Sequence, residues 1–289
     1  MDDVRPVPGH PDVHLVDNYL FDNPGALATY LVTGEHPAIL DAGAANTVGR
    51  IEAAMDAIGM APEAVETIVL SHVHLDHAGG AARLAERCPN AEVLVHERGY
   101  PYVTEEAKLD RLTESVEAAV GMTEPYGDPG LVPESRCRAL TGGETLGLGD
   151  RRMDTYDTPG HAPHQISLHD PADGLLFAAD AVGAYHAPST QVAPSTPPPS
   201  FDLEANLETI ERLRALDPER ILYCHFGPGK DAAAELDAYA EVLPTFVAAV
   251  KEAAERHGED IAAIVADLES EWPSPTLQRD VVGVLRASP

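Results

Sequence analysis

The stretch SHVHLDHAGG, residues 71 to 80, follows the apolar run ETIVL and sets three histidines and one aspartate within six positions. No other feature restricts the fold as much. A strand that ends in a tight loop projects successive side chains from neighbouring backbone positions, so His72 and His74 can point one way while Asp76 and His77 turn toward an adjacent volume. One metal ion does not easily accept all four. Imidazole nitrogen and carboxylate oxygen suit zinc, iron or manganese, and a catalytic zinc commonly takes three protein ligands and keeps one position open for water. Imidazoles this close repel one another when protonated, which argues for a cation that holds them neutral. A solvated polar loop is the alternative that this spacing disfavours.

The chain around the cluster reads as strands alternating with helices. LATYLVT, PAILDAG, ETIVLSH and AEVLVH read as strands, residues 47–59 as an amphipathic helix, and GGAARLAERCP as a helix stopped by Pro89. Residues 98–120 read as helical and give way to the turn-rich EPYGDPGLVPES. From Cys137 the pattern becomes short strands, CRAL, ETLGLGD, RRMDTYDT, QISLHD and GLLFAAD, divided by Gly and Asp turns. Both halves contain strands that end in ligand-bearing loops, which favours two sheets packed face to face with helices outside. Residues 186–200, HAPSTQVAPSTPPPS, are too rich in Pro, Ser and Thr for regular structure. They read as a loop within the domain, because the helix FDLEANLETIERLRAL and the strand RILYCH complete the pattern after them. From Asp231 onward the chain turns almost wholly helical, and its apolar face either covers the domain or forms a homodimer.

Charge narrows the classes. Forty-eight acidic against nineteen basic residues give a formal charge of −29, and Lys108, Lys230 and Lys251 are the only lysines. The acid is spread along the chain, as in proteins adapted to concentrated salt, which predicts a melting midpoint that rises along a potassium chloride series. A polynucleotide partner is not expected, since phosphate recognition needs a basic footprint and only short pairs such as Arg151 and Arg152 occur. No run reaches the roughly 18 apolar residues that cross a bilayer, and the acidic, proline-bearing start does not read as a signal peptide. The expectation is a cytoplasmic enzyme or binding protein. Cys88, Cys137 and Cys224 are too few and too far apart for a disulfide framework.

The run His72, His74, Asp76, His77 resembles the HxHxDH signature of the metallo-β-lactamase-fold hydrolases. Later segments follow in that family's order: His161 in TPGHAPHQISL, Asp180 at the end of GLLFAAD and His225 in RILYCHFGPG. AILDAG, with Asp41, is similar to the early motif whose aspartate orients ligands, although an Asp-Ala-Gly turn accounts for it equally. The resemblance covers residues 13 to 230 and implies an α/β fold, the four-layer αββα sandwich, as a catalytic domain over 1–230, with a helical C-terminal extension over 231–289. It implies two divalent metal ions, zinc first and iron or manganese next. His72, His74 and His161 would hold one, Asp76, His77 and His225 the other, and Asp180 would bridge both.

The implied chemistry is hydrolysis of a small activated acyl compound, a thioester, lactone or ester, by a metal-bridging hydroxide, with Asp76 and Asp180 as catalytic carboxylates. Tyr185, five residues after Asp180, is the candidate donor to a developing oxyanion, as in the family's lactonases, though its spacing is longer than theirs. Lys251, Arg256, Arg279 and Arg286 are scattered through the final helices and form no cluster for a glutathione carboxylate. The competing expectations are a phosphodiesterase or nuclease of the same fold and an iron-dependent oxidoreductase similar to sulfur dioxygenases. His164 is placed at the site rim or behind the ligands, and His186 with its Pro-rich loop either walls the substrate or is a solvated connection.

Overall fold

The computed structural model describes residues 3–186 and 191–287. A first sheet runs in sequence order through β1 (Val4–Val7), β2 (His10–Asp17), β3 (Ala28–Val32), β4 (Ala38–Leu40), β5 (Thr67–Val69), β6 (Glu92–His96) and β7 (Cys137–Leu140). Its pairs are antiparallel up to β4 and parallel from β4 to β7. The parallel crossovers carry α1 (Val48–Ile58), α2 (Leu75–Ala78), α3 (Ala81–Arg87), α4 (Tyr100–Thr104) and α5 (Glu106–Val120). The second sheet contains β8 (Thr145–Leu148), β9 (Arg151–Asp157), β10 (Ile166–Asp170), β11 (Leu175–Phe177), β14 (Arg220–Tyr223) and β15 (Gly227–Pro228), ordered β15-β14-β11-β10-β9-β8. A separate ribbon pairs β12 (Ala184–His186) with β13 (Gln191–Ala193). The remaining helices are α6 (Leu203–Arg214), α7 (Ala232–His257), α8 (Ile261–Leu268) and α9 (Leu277–Arg286).

The layers follow from strands that are apolar on both faces, with successive side chains sent to opposite sides. Tyr30, Leu40, Val69 and Leu94 enter a central core with Leu168, Phe177 and Leu222, while their neighbours Leu31, Ile39, Ile68 and Val93 pack outward on Ile51, Met55 and Leu84 of α1 and α3. In the second sheet Leu176, Ile221 and Tyr223 face the other way, against Ile210 of α6, Leu236, Leu243 and Phe246 of α7, and Val281 of α9. The result is the expected helix–sheet–sheet–helix order, and the apolar face of the final helices packs within the chain. Tyr30 Oη ties the two sheets by donating to the Tyr223 carbonyl at 2.7 Å.

Three segments depart from the sequence reading. The proline-bearing start forms the edge hairpin β1–β2, where missing ladder donors are tolerated. The helical stretch 98–120 divides into α4 and α5 with Glu105 extended between them. The Pro-rich segment carries strand β13 and the buried Ser195 and Thr196, so it is more regular than its composition suggests; residues 187–190 lie outside the described part. No helix among the described residues is long and apolar enough to cross a membrane.

Candidate metal centre

Parallel β4 and β5 end on the same edge of the first sheet, and parallel β11 and β14 end together in the second. The residues just past those ends are Asp41, Ser71 to His77, Asp180 and His225. This is where the chain brings its ligand-type side chains together. Two glycines make the approach possible. A Cβ on Gly80 would collide with the Ala42 carbonyl and one on Gly79 would lie 3.1 Å from the Ala45 amide nitrogen, so the end of α2 packs this closely on the segment after β4 only with glycine there.

Asp41 organises the cluster from below. It sits in the left-handed region at φ 62 and is buried. Its Oδ1 accepts from the Ser71 amide at 2.7 Å, and its Oδ2 accepts from Ser71 Oγ at 2.9 Å, His77 Nδ1 at 2.9 Å and Cys224 Sγ at 3.1 Å. With its lone pairs used on these donors, Asp41 orients ligands instead of binding a metal itself, and an Asp-Ala-Gly turn alone does not account for it. Cys224 is a buried thiol pushed well up by burial and by the Asp41 charge.

The same logic fixes the imidazoles. Ser71 Oγ spends its hydrogen on Asp41 and therefore accepts from His72 Nδ1 at 3.0 Å. His161 Nδ1 donates to the Ser195 carbonyl at 3.2 Å and His225 Nδ1 to the Ala26 carbonyl at 2.8 Å. Four rings thus point Nδ1 outward at an acceptor and Nε2 inward, the arrangement in which a metal ion would take Nε2, while His74 turns its Nδ1 inward. His72 Nε2 and His161 Nε2 lie 2.9 and 3.1 Å from His74 Nδ1, and His77 Nε2 lies 3.2 Å from His225 Nε2. The inward atoms fall into metal-sized groups: His72, His74 and His161; Asp76, His77 and His225; and His72, His77 and Asp180, each within 4.8 Å of one another. Asp180 lies between, 3.6 Å from His77, 3.5 Å from His161 and 3.6 Å from His225, and its buried Oδ1 has no hydrogen-bond partner among the described residues. Lone pairs facing one another beside an orphaned buried carboxylate oxygen fit divalent cations.

The two three-residue groups differ electrostatically. Burial and neighbouring imidazoles hold His72 and His161 well below their ordinary value, and burial, with His164, takes His74 down to about 3. Burial also opposes charge on His77, yet Asp76, Asp180 and Asp41 pull it up to about 10. His225 is raised by Asp180 and Asp76 against the same penalty. Asp76 is held well below the carboxylate range by His77 and His225 in spite of its burial.

His164 accepts from the Val73 amide at 3.4 Å and stacks 6.3 Å from the His72 ring, so it stands beside the ligands and outside every ligand group. Tyr185 corrects the sequence expectation. Its backbone braces the loop, with its amide donating to the His225 carbonyl and its carbonyl accepting from Phe226 at 3.1 Å. Its ring is buried and stacked 5.1 Å from Tyr223 in the apolar layer under α7, and its hydroxyl has no hydrogen-bond partner among the described residues. The side chain that five residues of spacing brought near Asp180 is turned away by the apolar packing of the ribbon. Of the scattered final-helix cations, Arg279 of α9 reaches Ser195 Oγ at 3.3 Å, and Ser195 Oγ donates to Asp180 Oδ2 at 3.4 Å. No local signal marks Arg279 or Ser195, since 84 residues separate them.

The metallo-beta-lactamase superfamily model matches residues 22–225, and the chain belongs to that superfamily. It is 32% identical over 209 residues to the metallo-beta-lactamase fold-containing protein ST1585 of Sulfurisphaera tokodaii, a match over 71% of this chain and 74% of that protein. The solved structure of ST1585 superposes with a TM-score of 0.68 at 25% identity, covering 91% of this chain and 93% of the other. Shorter likenesses extend to the type A flavoprotein fprA of Rhodobacter capsulatus, 29% identical over 54% of this chain and 32% of that protein. The acyl-coenzyme A thioesterase MBLAC2 of Gallus gallus is 31% identical over 39% of this chain and 40% of its own length.

Proposed function

We propose that the chain is a dinuclear metal-dependent hydrolase of a small activated acyl compound, a thioester first and a lactone or ester next. The observation that carries this reading is the ring orientation: four imidazoles point Nδ1 outward at an acceptor, and all five ligand histidines turn their other ligating nitrogen into the cluster that Asp76 and Asp180 complete. His72, His74 and His161 would hold one ion, Asp76, His77 and His225 the other, with Asp180 shared; zinc suits this donor set first, iron or manganese next. Such a pair supplies Lewis acidity, lowering the pKa of water and polarising a carbonyl oxygen.

The chain's own groups do the rest. Asp180 presents a bare Oδ1 that can orient a water molecule and accept its proton, while Ser195 steadies its other oxygen. Asp41 holds His77 and, through Ser71, His72 in the binding tautomer. Thiolate and lactone alkoxide leaving groups need little protonation, so this chemistry does not depend on Tyr185. The likeness to the acyl-coenzyme A thioesterase MBLAC2 supports the thioester choice. Against a polynucleotide stands the use of Arg151, which is spent on Asp12, Asp170 and Asp173.

The test compares metal-reconstituted with chelated protein on thioesters, lactones, β-lactams and bis(p-nitrophenyl) phosphate, with metal content measured alongside. The expected result is acyl hydrolysis that disappears on chelation, at two ions per chain. Phosphodiester cleavage without acyl hydrolysis, oxygen consumption by iron-loaded protein, or a stoichiometry that never exceeds one would overturn the assignment.

A further inference from the structure

The final helix is built into the site. Asp280 Oδ1 accepts from the Thr196 amide at 2.9 Å, and Thr196 Oγ1 donates to the Asp280 carbonyl at 2.9 Å. Gly283 allows this clamp, because a Cβ there would overlap the Thr196 carbonyl. The same clamp aims Arg279. Its Nε and Nη2 donate to Asp280 Oδ1 at 3.2 and 2.9 Å, and Nη2 also reaches Ser195 Oγ, one hydrogen bond from Asp180. Nη1 has no hydrogen-bond partner among the described residues.

The Arg279 side chain is more open to solvent than Asp180, Asp76 and His225. It is 34% exposed, against 2% for Asp180, and the ligands with some exposure are His74, Asp76 at 10% and His225 at 19%. Its positive charge stands one serine away from Asp180. On a chain of formal charge −29, this is a local positive point beside the reacting position. Its planar fork, held on one edge by Asp280, leaves donors for a second anionic group.

We propose that Arg279 recognises a carboxylate of the substrate while the scissile carbonyl lies over the ligand cluster. The inference deepens the hydrolase reading and rests on it for the word substrate. It makes Arg279 a determinant of specificity carried by a helix that lies beyond the family-matched residues 22–225.

Calorimetric titration of metal-reconstituted protein with succinate and with glutarate tests the contact without turnover. Arg279→Met should weaken succinate binding per folded molecule by about tenfold, as expected for loss of a charge-assisted contact, with metal content retained and a lowered melting temperature from the loss of the Asp280 pair. Arg279→Lys should keep most of the affinity and shift the preference toward the longer glutarate, because its ammonium ends short of the guanidinium position. That shift also decides the matter if Arg279→Met fails to fold. Equal affinities and unchanged chain-length preference across the proteins would overturn the proposal.

Kinetics then locate the carboxylate. A preference for succinyl over butyryl thioesters of one thiol places it on the acyl side; a preference for 3-mercaptopropionate over propanethiol esters of one acyl group places it on the leaving group. Either preference should be lost in Arg279→Met. Turnover with no charge preference and no effect of Arg279→Met overturns the role of Arg279 and leaves the hydrolase reading standing. Arg279-dependent binding without any thioester turnover does the reverse.

Discussion

Two groups of three carboxylates lie at opposite ends of the two-sheet sandwich. At the starts of β9 and β14 and the end of β10, Asp12, Asp170 and Asp173 surround Arg151, which donates to them at 2.6 to 2.8 Å and is only 8% exposed. At the other ends of the strands, Asp41, Asp76 and Asp180 meet imidazoles, and no Lys or Arg among the described residues forms an ion pair with them. Arg279 is paired with Asp280 and stops at Ser195. The chain neutralises the first group from its own sequence and leaves the second to be neutralised from outside. The first is a structural closure; the second has the make-up of a metal site. A count of acidic residues does not separate the two, but the partner does.

The largest effect should come from withdrawing the external cations. Chelation is expected to abolish turnover, and Asp76→Ala to leave about one ion per chain and to lower turnover by more than about a hundredfold, beyond the usual cost of losing a residue that merely orients a ligand. Elemental analysis with steady-state kinetics checks both. Full activity of Asp76→Ala with two ions retained would erase the distinction between the two ends.

Next comes Arg151→Met, which strands three carboxylates, one of them nearly fully buried. Removing one partner of a buried ion pair costs about 3–5 kcal/mol. Urea unfolding should show that loss while turnover per folded molecule is unchanged. A large activity loss with unaltered stability would mean that the Arg151 end also serves the reaction.

Asp41→Ala should fall between the two kinds of carboxylate. It frees His77, Ser71 and Cys224 without deleting a ligand, so metal affinity should drop about 10- to 100-fold. Competition titration against a chelator measures it, and a drop below threefold would show that the tautomers are set elsewhere.

The smallest effect concerns Glu144, neutralised by neither arginine nor metal. Its carboxylate accepts from the Thr141 and Gly142 amides and from the Thr141 and Thr155 hydroxyls, which take it down to about 2 in spite of partial burial. A depressed carboxylate stabilises the fold above its unfolded value near 4.5 and loses that contribution as pH falls toward 2. Glu144→Gln should therefore cost about 1–2 kcal/mol at pH 7, and the gap from the parent protein should close between pH 5 and pH 2. Melting curves across that range suffice, and a gap independent of pH would show that the carboxylate charge contributes nothing.

The sequence by itself determined the strand-and-helix alternation, the sandwich and the seven ligand candidates. These were legible because each rests on local periodicity or on a motif: doubly apolar strands such as TYLV, and SHVHLDH with three later strand-end residues in order. Tertiary structure decided what depends on contacts between distant segments. Tyr185 lies five positions from Asp180, yet its ring belongs to the apolar layer under α7, because the β12–β13 ribbon and Tyr223 offer a place to bury it. Arg279 lies 99 positions from Asp180, yet its guanidinium arrives one serine away, because Asp280 and Gly283 dock α9 on Thr196. Arg151 looked like one of a pair of surface cations until the fold gathered three aspartates around it. Local spacing fixes which side chains share a strand end. Burial and hydrogen bonding across the assembled layers fix which way each one turns and which charge it meets.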